Sequence, residues 1–130
     1  MVINENLQLF TVAELTEKGM NLTLENIFFD TNKAILKKES FAELDRVFAL
    51  IKTNNFKIEL FGHTDNVGKD KYNLQLSQKR ADAVRNYFIE KGLPSTDISA
   101  LGKGETKPIE SNKTEKGKAK NRRVEVKFKN

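Results

Sequence analysis

Phe56-Lys57-Ile58-Glu59-Leu60-Phe61-Gly62-His63-Thr64-Asp65-Asn66 decides how this chain folds. From Phe56 to Phe61 the residues alternate in the manner of a strand, and Ile58, Leu60 and Gly62 share one face. Beyond the loop Asn66-Val67-Gly68-Lys69-Asp70, the residues Leu74, Ser77, Ala81, Val84 and Phe88 recur at helical spacing. Asp65 therefore falls at the end of a strand, and Arg80 two turns into the helix that follows. A carboxylate and a guanidinium fixed on rigid elements suit a ligand with both an amine and a carboxylate, because an arginine fork matches a carboxylate. The same spacing allows a structural ion pair or two solvated charges, the commoner outcome at a protein surface.

Upstream, Phe41, Leu44, Val47, Phe48 and Ile51 fall on one helical face. Ser40 with Glu43 reads as a capping box, unless the helix starts a turn earlier at Lys38, and Thr53-Asn54-Asn55 ends it. Before this helix, Asn21 to Asp30 reads as a strand whose alternation breaks near Glu25-Asn26, the sign of a bulge. Asp30-Thr31-Asn32-Lys33 is a polar loop. Residues 1–19 read as a linker or accessory edge strand, and residues 20–130 as one domain.

Downstream, Asp70 is placed to cap the second helix, which ends near Lys91 with Gly92 and Pro94 as stop signals. Thr96 to Leu101 is a third strand, Gly102-Lys103-Gly104-Glu105 a flexible or tight turn, and Pro108 to Ala119 a polar loop with one helical turn around Thr114–Lys118. Val124, Val126 and Phe128 alternate with Arg123, Glu125 and Lys127 in a half-buried strand. The order is β-α-β-α-β-β. Each helix has one apolar face, so the expected fold is a two-layer α/β (α+β) sandwich with two main helices on one face of a small mixed sheet.

A chain of 130 residues with an ordinary apolar fraction builds one core. No apolar run is long enough to span a membrane as a helix, and Met1-Val2-Ile3-Asn4-Glu5 does not open a signal peptide. The expectation is a mature or cloned piece of something larger, or a chain that stays inside the cell. With no cysteine, disulfides and thiolate metal sites are excluded. His63 is the only histidine, so a zinc site is a poor reading and a packed structural histidine the better one. Ser77, His63 and Asp65 do not make a convincing triad, and Gly102-Lys103-Gly104 is too short for a phosphate loop. The net charge is +5, with the excess gathered between Lys113 and Lys129. Acids are interleaved there and no aromatic platform accompanies the bases, which disfavours nucleic acid.

Ile27-Phe28-Phe29-Asp30-Thr31-Asn32-Lys33-Ala34 resembles the opening of the OmpA C-terminal-like domain. Gly62-His63-Thr64-Asp65-Asn66-Val67-Gly68, Asn73, Leu76-Ser77, Arg80-Ala81, Gly102-Lys103-Gly104-Glu105, Pro108-Ile109, Asn112 and Asn121-Arg122-Arg123-Val124-Glu125 continue the resemblance in order, from about Met20 to Phe128. That family, shared by OmpA, Pal and MotB, holds bacterial cell wall without covalent bonds. The resemblance implies a binding module rather than an enzyme, with no cofactor and no metal. Its partner would be the diaminopimelate of the peptidoglycan stem peptide, and its place the periplasm, associated with the outer membrane through other parts of a longer protein. It implies that Asp65 takes the ammonium and Arg80 the carboxylate. Phe29, Asp30, Thr31 and Asn32 would line the pocket, with Thr64 and Leu74 as walls and one of Arg122 and Arg123 shaping its electrostatics. Asn73 and Asn121 would hold loops. Thr31 stands where an aromatic is frequent and Lys118 where an arginine is common, which opens one wall and removes a bidentate contact. Two alternatives stay open: the same fold used for envelope protein–protein assembly without wall binding, or a polyanion binder indifferent to Asp65→Ala.

Overall fold

The computed structural model describes residues 2–3, 9–10, 21–24, 29 and 34–129. Two short strands, β1 (Val2–Ile3) and β2 (Leu9–Phe10), pair antiparallel with one another, outside the main sheet. The main sheet contains β3 (Asn21–Leu24), β4 (Lys57–His63), β5 (Ile98–Gly104) and β6 (Arg123–Lys129), in the order β3-β6-β4-β5. It is mixed, with β4 and β5 parallel and the β4–β6 and β3–β6 pairs antiparallel. Three helices complete the fold: α1 (Phe41–Asn54), α2 (Asp70–Lys91) and the short α3 (Glu115–Asn121).

From Asn21 onward the expected β-α-β-α-β-β order is the observed one; β1 and β2 precede it, and the helical turn expected around Thr114–Lys118 is α3. Strand alternation drives the core from below: Ile58, Leu60, Val124, Val126 and Phe128 point to one face and are buried. Leu44, Val47 and Ile51 of α1 and Ala81, Val84 and Phe88 of α2 cover them. Phe41 leaves that core and lies stacked on Tyr87, ring centroids 5.0 Å apart. The outer edge of β5 is closed by helix side chains: Gln78 Nε2 donates to Ala100 O, and Arg85 Nε to Ile98 O.

Several boundaries differ from the sequence reading. A 3-10 turn over Lys38–Ser40 leads into α1, and Ser40 already has helical angles (φ −78°, ψ −21°). Its hydroxyl makes no capping bond, so the capping box does not form. At α2 the cap position belongs to Lys69, and Asp70 is the first helical residue, its carboxylate turned to Glu105. Arg80 therefore lies nearly three turns in rather than two. Gly102, Lys103 and Gly104 form strand, not turn. Lys103 is the extra residue of a bulge, since Gly62 pairs with Gly102 and His63 with Gly104. The bulge expected near Glu25-Asn26 lies outside the described residues. Asn55 (φ 55°) and Gly92 (φ 119°) end α1 and α2 in left-handed conformation as expected.

Candidate functional site

The site stands where β4 ends and α2 begins, beyond the carboxyl ends of the parallel pair, a common place for ligands in such sheets. Asp65 stands two residues past the end of β4 and is only 7% exposed. Its Oδ1 accepts the Val67 N–H at 3.0 Å, which turns the chain sharply. The Thr64 hydroxyl donates to Asp65 O, and the buried Asn73 amide donates to Val67 O. Asn73 thus ties the loop to α2, and Asp65 is fixed before any ligand arrives.

Arg80 reaches the same place from α2 and is 9% exposed. Its guanidinium lies over the Phe29 ring, 4.9 Å from the centroid. Burial pushes it below its ordinary value, and the charge of Arg122 adds to this, while Tyr72 and Asp65 act in the other direction. Arg122 contributes the third charge: its Nη1 is 2.5 Å from Asp65 Oδ2.

Of the two arginines left undecided by the sequence, only Arg122 meets Asp65. Strand alternation turns Arg123 away, where its Nε donates to Glu125 Oε2 and its Nη2 to Lys107 O. The junction between α3 and β6 sets this arrangement. Asn121 is fully buried; its Oδ1 accepts from Ile109 N and Glu110 N, and its Nδ2 donates to Glu110 O and Asn112 Oδ1.

A family model described as the OmpA family matches residues 28–122, most of the chain, including Asp65, Arg80 and Arg122 but not β1, β2 or β3. The chain belongs to the OmpA family. It is 42% identical to outer membrane protein A of Bordetella avium over 100 residues, covering 76% of this chain and 52% of that protein. It thus spans about half the length of that relative. Among solved structures, it matches the peptidoglycan-associated lipoprotein of Burkholderia pseudomallei with a TM-score of 0.73 and 30% identity, covering 79% of this chain and 88% of that one. It also matches the cell wall anchor of the T6SS from Pseudomonas aeruginosa with a TM-score of 0.73 and 26% identity, covering 85% and 80%. The OmpA-family domain is a binding module, not an enzyme.

Other residues of this OmpA-family domain divide between the site and its support. Thr64 is buried, with its hydroxyl spent on the backbone. Leu74, expected as a wall of the pocket, is 50% exposed, and its backbone lies against Gly104. Asp30, Thr31 and Asn32 lie outside the described residues. Sequence reasoning missed Tyr72. It sits two turns before Arg80, on the same face of α2, and that i, i+8 spacing was the available signal. Ser77 is structural: its hydroxyl donates to Leu74 O and accepts from Gly104 N. His63 is buried on β4, its Nε2 3.5 Å from Glu125 Oε1. No group of His, Cys, Asp and Glu suited to a metal occurs among the described residues. No helix among them is long and apolar enough to cross a membrane.

Behind the loop, Glu105 accepts from Asn73 and shares a hydrogen bond with Asp70. The bond to Asp70 holds the Glu105 carboxyl above its ordinary value, against the pull of Asn73. A raised acid binds its proton more tightly in the folded state. Its contribution is therefore fully present below the ordinary carboxylate range and is lost as pH rises through the elevated value. Glu105→Gln keeps an acceptor for Asn73 and a donor for Asp70 at every pH. It is expected to raise the melting temperature slightly near pH 7 and to leave it unchanged at about pH 4. Thermal melts at the two pH values check this.

Proposed function

We propose that this domain binds peptidoglycan without covalent bonds, through the diaminopimelate of the stem peptide, and so anchors an envelope protein to the cell wall. The observation that carries this reading is the burial of a carboxylate, Asp65, and a guanidinium, Arg80, near enough that the charge of one acts on the other. Opposite charges held by rigid elements recognise a zwitterionic centre: Asp65 takes the ammonium and Arg80 the carboxylate. The relatives described as a peptidoglycan-associated lipoprotein and a cell wall anchor support the cell wall as the partner. The relatives named outer membrane protein A support a periplasmic domain associated with the outer membrane.

Preorganisation matters more here than contact number. Val67, Asn73 and Phe29 hold the two charged groups in place, so little ordering entropy opposes binding. The clamp remains small, and desolvation offsets part of each charge-assisted bond, leaving about 1.5–3 kcal/mol per charged contact. One site therefore binds modestly, and firm anchoring comes from many copies on one polymer.

Calorimetric titration with a diaminopimelate-containing stem peptide tests the reading. Arg80→Ala and Asp65→Ala are each expected to weaken binding by roughly tenfold or more while remaining folded by circular dichroism. A folded wild type that does not bind would remove the wall-anchor reading and leave envelope assembly in its place.

A further inference from the structure

Arg122 differs from the other two charges of the site. Its side chain is 43% exposed, whereas that of Asp65 is 10% exposed. Asp65 is the partner that the described residues give its guanidinium. A guanidinium carries five N–H donors in a planar fork, and a carboxylate in contact with Nη1 does not use them all. The side chain that carries the remaining donors is partly open to solvent. Charge leads to the same point. One carboxylate against two guanidiniums gives the three-residue cluster an excess positive charge. A ligand centre with one ammonium and one carboxylate is neutral and leaves that excess within the cluster unchanged. Glu105 and Asp70 keep acidic charge near the loop, but they are hydrogen-bonded to each other, and Glu105 to Asn73, so the described residues turn neither of them to the Arg122 guanidinium.

We propose that Arg122 forms a second anion subsite beside the clamp, so that the site selects a stem peptide presenting one ammonium and two carboxylates over one whose second carboxylate is amidated. This rests on the wall-binding reading above. The second carboxylate has two sources in a stem peptide. The glutamate before the diaminopimelate is linked through its side chain, which leaves its α-carboxylate free, and the peptide also has a carboxyl terminus. In either case Arg122 keeps one donor on Asp65 and turns the others to the ligand. The ion pair to Asp65 is then a positioning contact, and the exposed face of the fork is the recognition surface.

The test is calorimetric titration of the whole chain with three peptides: the stem tripeptide ending in diaminopimelate, the same peptide with the glutamate α-carboxylate amidated, and the same peptide with its carboxyl terminus amidated. Wild type is expected to lose about fivefold in affinity for one of the two amidated peptides, a modest factor because the fork is partly solvated. That peptide identifies the carboxylate. Added salt should shrink this preference. Arg122→Gln should bind the unmodified peptide and that amidated peptide equally, whereas Arg80→Ala should weaken all three and keep the preference. Arg122→Gln with the full preference intact, or a wild type that binds all three equally, overturns the subsite while the clamp stands. A folded wild type that binds none of the three overturns the wall-binding reading and the subsite with it.

Discussion

Replacing Gly62 by alanine is expected to cost about 3 kcal/mol of stability and to weaken ligand binding in step. A Cβ at Gly62 would lie 2.2 Å from Ser77 O, a backbone atom of α2 that no rotamer change can move. The neighbouring strand repeats the device: a Cβ at Gly102 would lie 2.4 Å from Gln78 N and 2.5 Å from Ser77 Oγ. Gly62 and Gly102 are register partners, so together they form the flat seat on which one turn of α2 rests. Either alanine must lift that turn. The lift separates β4, which leads into Asp65, from the helix that carries Arg80. Melting temperature should fall on the order of 10 °C. Because one displacement of α2 accommodates both Cβ atoms, the double variant should cost less than the sum of the single ones. A thermal melt and a titration on the three variants check both parts. An unchanged melting temperature in Gly62→Ala would mean that the helix is not seated there.

The same glycines show where sequence reading stops. Alternation in β4 and helical spacing in α2 are local signals, and they placed Ile58, Leu60, Ala81, Val84 and Phe88 where the structure has them. The pair Gly102 and Gly104 looks like a turn because glycine most often frees the backbone. At Gly102 the reason is instead the missing side chain, and that reason comes from a helix two dozen residues away in sequence. Leu74 fits the apolar stripe of α2 by number but is 50% exposed, with its backbone against Gly104, the last residue of β5. Periodicity cannot report where a sheet ends. At the site, the positions of Asp65 past a strand end and of Arg80 on the next helix were legible, because each is fixed by the element that carries it. The choice between Arg122 and Arg123 was not, because it depends on where α3 stops and β6 starts.

That junction bears the second large effect. Asn121→Ala is expected to cost about 3 kcal/mol, because it strands the N–H groups of Ile109 and Glu110 and the carbonyl of Glu110 together. Asn121→Asp separates the two halves of this loss. It keeps an acceptor for Ile109 and Glu110 but sets a carboxylate against Glu110 O and Asn112 Oδ1, so it should recover only a minor part of the stability. The consequence for binding follows from the chain itself. Asn121 is covalently next to Arg122, and its four hydrogen bonds fix the backbone from which the Arg122 guanidinium reaches Asp65. Loosening that backbone should lower both the melting temperature and the affinity for a stem peptide, and at a temperature where the variant is still folded the affinity loss should match that of Arg122→Gln. If Asn121→Ala melts early yet binds as tightly as wild type, Arg122 owes its position to Asp65 alone, and the loop that Asn121 holds is scaffold rather than part of the site.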